Sequence, residues 1–380
     1  MDVILTRSSR LSVNHRALFR CILLILLLGM SPSVLKASSS EPHAADSGPQ
    51  EDFDAGEMIL DHVMDSYTWH IMDVGQRQIS ISLPVILFYQ GKGYFFLSSR
   101  FDHGHASYKG FAIASDSPGK GRIIRVKEGT LHRDENASFL LDLSITKNVV
   151  AIFISGFIMC LIFIRLARRY VRKGSMSVPH GFQSFMEPLL LFVRDGIAIP
   201  SIGRNKYKRF LPFLMTLFFF IFSNNLMSLV PFFPGGANVM GNISVTMVLA
   251  LFTFFTIIIF ANKNYWIHIF NTPGVPLWLK LPIPLMPIIE LTGFFIRPFV
   301  LMVRLFANIA AGHMILLGFV SLIFVLGHVS TLLGFAISPL SVMFLIFMNF
   351  LELLVAFLQA YVFTLFSAIF FGMAIPEEHH

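Results

Sequence analysis

Six side chains near the C-terminal end could hold charge or pass protons inside a membrane. Arg304, Asn308 and His313 stand in one apolar stretch, and Asn349, Glu352 and Gln359 in the next. A guanidinium deep in a membrane segment costs several kcal/mol, and intramembrane charges of this kind mark function by default. Arg304 lies well inside its expected helix, too far from either end for its side chain to snorkel to a headgroup. His and Glu exchange protons near neutral pH once their surroundings shift their pKa. Arg keeps its proton. A fixed cation between two titratable polar regions therefore blocks direct proton leakage, and it draws a passing carboxylate into its ionised form. The chain offers no such carboxylate on a separate mobile helix, so a partner has to supply it.

The elements that hold these residues follow from composition. Of 380 residues, 55% are hydrophobic and 13% charged, and the mean hydropathy is +0.69. That describes an all-α polytopic membrane protein. The net charge of +7 sits in short basic segments beside apolar ones, as in membrane topology signals, and is no nucleic-acid signature. Cys21 and Cys160 both lie in apolar stretches and suggest neither disulfide nor metal site. No cofactor is implied.

Residues 1–37 read as a signal peptide: Arg7, Arg10, Arg16 and Arg20 precede a short apolar core, with Ala37 a candidate cleavage point. Residues 38–52 are polar and read as a disordered linker. Residues 53–145 are expected outside the cytoplasm. Met58, Ile59, His62, Val63 and Tyr67 fall at helical spacing, which predicts an amphipathic helix over 53–75. Asp61, His62, Asp65 and His70 read as a solvated face of that helix. Four strand candidates come next between 76 and 130, with a turn at Gly91-Lys92-Gly93, forming a small β-rich segment.

The membrane domain is expected over 146–375. Its first span, 147–164, runs into a basic segment. Between positions 165 and 209 there are ten Lys or Arg against two acids, Glu187 and Asp195, which places that segment in the cytoplasm. Residues 182–200 predict an interfacial amphipathic helix. Four further spans are expected at 210–230, 243–261, about 288–326 and from about 340 to 375, with prolines from Pro273 to Pro287 keeping one loop non-helical. Five spans leave residues 376–380 as a cytoplasmic tail. Stretches 298–326 and 340–375 would be roughly 43 and 54 Å of helix at 1.5 Å per residue, against about 30 Å of hydrocarbon. They predict a strongly tilted hairpin.

Within that hairpin the polar residues align by depth. If Arg304 and Gln359 share a level, His313 and Glu352 share another, nearer the outside. Glu290 and Arg297 stand fourteen and seven residues before Arg304, on the inner side. The shorter hairpin adds Asn224, Asn225, Ser228, Asn242, Ser244 and Thr246 at its outer end. The pattern is one polar lining open outward and one open inward.

RLFANIAAGH at 304–313, with FLQAYVFTLFSAIF at 357–370, resembles the subunit a family of F-type ATP synthases, the membrane stator facing a ring of c subunits. The resemblance extends over about 145–375 and includes NNLMSLVPFFP and GNISVTMVLALF. It implies a subunit that is not catalytic by itself, in a bacterial inner membrane, with an extended exported N-terminal region. Implied partners are the c ring, the b-subunit peripheral stalk, the rest of the complex and the bilayer. By resemblance Arg304 matches the essential arginine and Gln359 its polar neighbour, while His313 and Glu352 match a pair exchanged between the two helices in some members. Ser228 and Asn242 depart from the acids many bacterial members carry. The rival reading, a secondary transporter with a buried Arg for an anionic substrate, calls for internal repeats, and none is found.

Overall fold

A computed structural model describes residues 64–375 apart from 75–76, 105, 115–120, 128–133, 135–136, 138, 174–179, 231–234 and 271–284. The expected signal peptide, linker, C-terminal tail, most of the proline-rich loop and the first part of the 53–75 helix lie outside the described residues.

Two compact units are present, the first holding Trp69–Ser82 and the second the described chain from Leu83 onward with residues 64–68. In the first, β1 (Thr68–Val74) pairs with β2 (Arg77–Ser82). This corrects the amphipathic-helix expectation over its last part, since 68–74 is strand. The helical spacing of apolar residues ends at Tyr67 and does not constrain the residues after it.

In the second unit β3 (Pro84–Tyr89) and β4 (Lys92–Leu97) form a hairpin. Its two-residue turn is Gln90-Gly91, with φ of 49° and 75°, the left-handed geometry that two-residue hairpins favour. The turn is thus one position earlier than the Gly91-Lys92-Gly93 expectation. β5 (Phe111–Ile113) pairs with β6 (Ile123–Arg125), and β7 (Leu140–Asp142) adds to β3, giving the order β4-β3-β7. There are seven strands among the described residues, not four, because the run at 77–89 breaks at Leu83 and the two outermost strands had no alternation to show. Alternate residues of β3 turn inward: Val85, Leu87 and Tyr89 pack with Phe96, Phe101 and Phe111. The aromatic rings meet edge to face, as in Phe96–Phe101 at 5.3 Å.

Four residues join β7 to α1 (Lys147–Lys173). The junction is pinned from a distance in sequence. Ile145 N donates to Pro84 O, Lys147 N to Ser66 O, and Asn148 N to Asp65 Oδ1. Two of the N–H groups that open α1 thus find acceptors outside the helix.

The remaining helices are α2 (Phe182–Leu191), a π turn (Phe192–Ala198), α3 (Ile199–Ile202), α4 (Tyr207–Leu229), α5 (Ile243–Phe260), α6 (Lys263–Phe270), α7 (Leu285–Val329) and α8 (Thr331–Ala374). Five of the described helices, α1, α4, α5, α7 and α8, are long and apolar enough to cross a membrane. α7 and α8 exceed the expected lengths, at 45 and 44 residues with only Ser330 between them. The expectation that Pro287 stays in the loop fails, because a proline in the first turn of a helix gives up no intrahelical bond. Pro298 is inside α7, where a freed carbonyl is tolerated by neighbouring helices. α8 packs along both α7 and α4, and α5 packs on α7. Gly372 lies directly on the Ser201 carbonyl, so α8 and α3 touch backbone to backbone.

Candidate functional site

Four contacts fix the register of the α7–α8 hairpin. From the tip inward they are Phe319 stacked on Phe344 at 5.3 Å, Gly312 against the Glu352 carboxylate, Arg304 over the Phe366 ring at 5.5 Å and Arg297 over the Phe370 ring at 5.8 Å. Positions fall along α7 as they rise along α8, as an antiparallel pair requires. Side chains of α7 lean toward its N-terminus, so the long Arg304 side chain reaches Phe366, two turns beyond Gln359.

Toward the tip of this hairpin is a cavity of about 300 Å³. Asn225 and Ser228 of α4, Asn308 and His313 of α7, and Glu352 of α8 supply its polar lining. Three helices that the sequence predicted separately thus contribute to one space. Asn225 Nδ2 donates to Ala356 O at 3.3 Å, tying α4 to α8, and Ser228 Oγ donates to Asn225 O at 2.7 Å. Both Glu352 carboxyl oxygens are buried without a hydrogen-bond partner among the described residues, as is Asn225 Oδ1. Burying such a group costs several kcal/mol unless something else satisfies it. A carboxyl beside an imidazole-bearing helix, with open acceptor positions, can take up and release a proton.

The other predicted residues sit elsewhere. Glu290 approaches Arg297 at 3.9 Å toward the N-terminal end of α7. Tyr265 of α6 stands near both, its hydroxyl pKa pushed up by burial and by Glu290, with Arg297 opposing. Gln359 is buried on α8. Arg304 is exposed on α7, and among the described residues no carboxylate forms an ion pair with it. Asn349 is exposed and bonded to its own helix at Leu345 O. Asn242, Ser244 and Thr246 do not line the cavity. Asn242 caps α5 by accepting from Ser244 N at 3.0 Å, and Thr246 Oγ1 donates to Ile243 O. Their polarity serves the helix start.

The sequence model of the ATP synthase A chain family matches residues 149–372, which contain every one of these side chains. The chain belongs to the ATP synthase A chain family. A curated relative, ATP synthase subunit a of Chloroherpeton thalassium, is 42% identical over 243 residues, covering 63% of this chain and 69% of the relative. ATP synthase subunit a of Myxococcus xanthus is 40% identical over 249 residues, covering 63% and 76%. ATP synthase subunit a 2 of Prosthecochloris aestuarii is 38% identical over 257 residues, covering 66% and 75%. As a member of this A chain family, the protein is a non-catalytic, multi-pass membrane subunit with the proton-channel stator role. A second family, a domain of unknown function (DUF8433), matches residues 58–143, the β-rich stretch.

Sequence reading missed several residues of this A chain. Gly312 carries no side chain to attract notice, yet a side chain there would meet the Glu352 carboxylate. Phe366 and Phe370 looked like ordinary apolar positions, yet they seat Arg304 and Arg297. Thr253 and Ser367 lie 3.5 Å apart between α5 and α8, and Thr364 Oγ1 is buried and unpartnered among the described residues. The available signal was that a four-residue spacing keeps Phe366 and Phe370 on one face of α8, as a seven-residue spacing keeps the two arginines on one face of α7.

Proposed function

We propose that the chain offers two offset half-channels to a ring of c subunits. The outer one passes Asn225, Ser228, Asn308, His313 and Glu352. The inner one passes Gln359 and the Glu290–Arg297 pair. Arg304 stands between them and ionises each ring carboxylate that passes. The cavity joining His313 to Glu352 supports the outer path. The observation that carries the reading is Arg304 itself: a permanent cation, exposed mid-helix in a membrane-crossing segment, with no anionic partner among the described residues. Such a charge is tolerable only if a partner brings the anion.

The basic residues at the end of α1 support a cytoplasmic location for that end and for the C-terminus, and an external one for the β-rich stretch. The b-subunit stalk belongs to the same reading, by family membership. Asn349, exposed on α8, is assigned to ring contact; Asn242, Ser244 and Thr246 are assigned to shaping the outer mouth.

The test is Arg304→Lys in the assembled complex. Lysine keeps the charge but can release its proton when desolvated, and it lacks the planar fork. Proton-driven ATP synthesis in membrane vesicles should vanish while assembly persists. Normal synthesis would overturn the proposal.

A further inference from the structure

A second hollow, of about 650 Å³, shares no lining residue with the first and lies between the end of α1 and the start of α2. Its charged side is four guanidiniums from one helix, Arg165, Arg168, Arg169 and Arg172. Steps of three, four and seven residues put all four on one face of α1. Its apolar side includes Ile162 and Phe182, and Gln183 forms part of the floor, itself 5% exposed. Arg169 Nη1 donates to His180 O at 3.1 Å. No ion pair joins any of the four to an acid among the described residues. Glu187, the acid of α2, instead engages Tyr170.

A membrane-topology signal explains why this end of α1 is basic. It does not require the charges on a single face, nor a hollow beneath them. Four guanidiniums with fork geometry and no acid to neutralise them suit phosphate oxygens. The apolar wall begins one turn back toward the membrane-crossing part of α1, where an acyl chain would start. Basic pockets between membrane helices take anionic headgroups.

We propose that this hollow binds one anionic phospholipid, its phosphate on the arginine face and its first acyl carbons against Ile162 and Phe182. The shared chemistry is a phosphate ester, and the apolar wall favours the lipid over a free phosphate or an acidic protein segment. The inference does not depend on the half-channel reading.

The test uses the assembled complex, with a benzophenone side chain at position 182, in vesicles of phosphatidylcholine containing a minor share of phosphatidylglycerol. Photo-adducts at this position should be enriched at least about tenfold in phosphatidylglycerol over the bulk. Replacing either Arg165 or Arg168 by Gln should cut that enrichment about fivefold, the effect of about 1 kcal/mol for one basic residue. Because fewer arginines could also disturb insertion, Ile162→Trp is the companion variant: it keeps every charge, fills the apolar wall, and should also lower the adduct yield. Excess inorganic phosphate should leave the adduct in place. Adducts that track bulk lipid composition, displacement by inorganic phosphate, or cross-linking to polypeptide would each overturn the proposal.

Discussion

The β-rich stretch before residue 146 and the helices after it bury polar groups in opposite ways. In the β-rich stretch the buried and half-buried polar atoms hold something. Tyr67 OH donates to Asp142 Oδ2 at 2.6 Å, Ser98 Oγ accepts from Leu83 N at 3.0 Å, and Ser144 Oγ accepts from Ile86 N at 3.1 Å. In the helical part, Glu352, Asn224, Asn225, Ser341 and Thr364 each leave a buried atom without a partner, and among the described residues every such atom lies at Thr146 or beyond. Native interiors rarely leave polar groups unsatisfied. Unsatisfied groups gathered in one part of a chain leave that part open to partners from outside it.

Substitutions can break this contrast. The largest effect is expected at Gly312, whose missing side chain leaves room for the Glu352 carboxylate. Gly312→Val forces that carboxylate out of its place, an overpacking of roughly 1–3 kcal/mol. Proton conduction by the membrane sector in vesicles should fall at least about tenfold, with assembly retained. Unchanged conduction would show that the open acceptors of Glu352 are incidental.

A smaller effect is expected at Phe366. Phe366→Leu keeps the apolar bulk but removes the ring face under the exposed Arg304, an interaction of about 0.5–1 kcal/mol. Coupled synthesis should drop about two- to fivefold, and Phe366→Trp should preserve it. Equal loss in both variants would mean that ring packing, not charge, matters there.

The smallest effect sharpens the other side of the contrast. Tyr67→Phe removes the Asp142 bond and should cost the β-rich stretch about 1 kcal/mol, read as faster amide exchange at 84–89 in the assembled complex, with proton conduction unchanged. Burial, then the bond to Asp142, raises the Tyr67 hydroxyl pKa well above its ordinary value of 10.0. The folded chain therefore keeps this proton where the unfolded chain loses it. The tyrosine's advantage is complete below about pH 10 and shrinks as pH rises further. A wild-type advantage that grew with alkaline pH would contradict this sign.

Legibility in the sequence divides along the same line. Arg304, His313, Glu352 and Gln359 stood out because a polar side chain in an apolar run is costly wherever it points, so type and position alone announce it. Gly312 and Phe366 did not, because each matters only through a residue some forty to sixty positions away on the facing helix. Asn242 and Ser244 read ambiguously for a related reason: a cap and a channel lining use the same polar residues at the same helix end. β7, three residues long, was invisible because its only reason to be a strand is the neighbouring edge of β3, more than fifty residues earlier.

The lengths of α7 and α8 turn depth into sideways distance. A straight helix of 45 residues, roughly 67 Å at 1.5 Å per residue, fits within about 30 Å of hydrocarbon only by lying closer to the membrane plane than to its normal. At that slope the nine residues from Arg304 to His313, roughly 13 Å along the axis, change depth by only about 6 Å and shift laterally by about 12 Å. Residues that look stacked one above another in sequence are then spread like stations along a shallow ramp. On the half-channel proposal, a partner moving in the plane of the membrane would meet them one after another, so rotation alone would carry it from one side's chemistry to the other's.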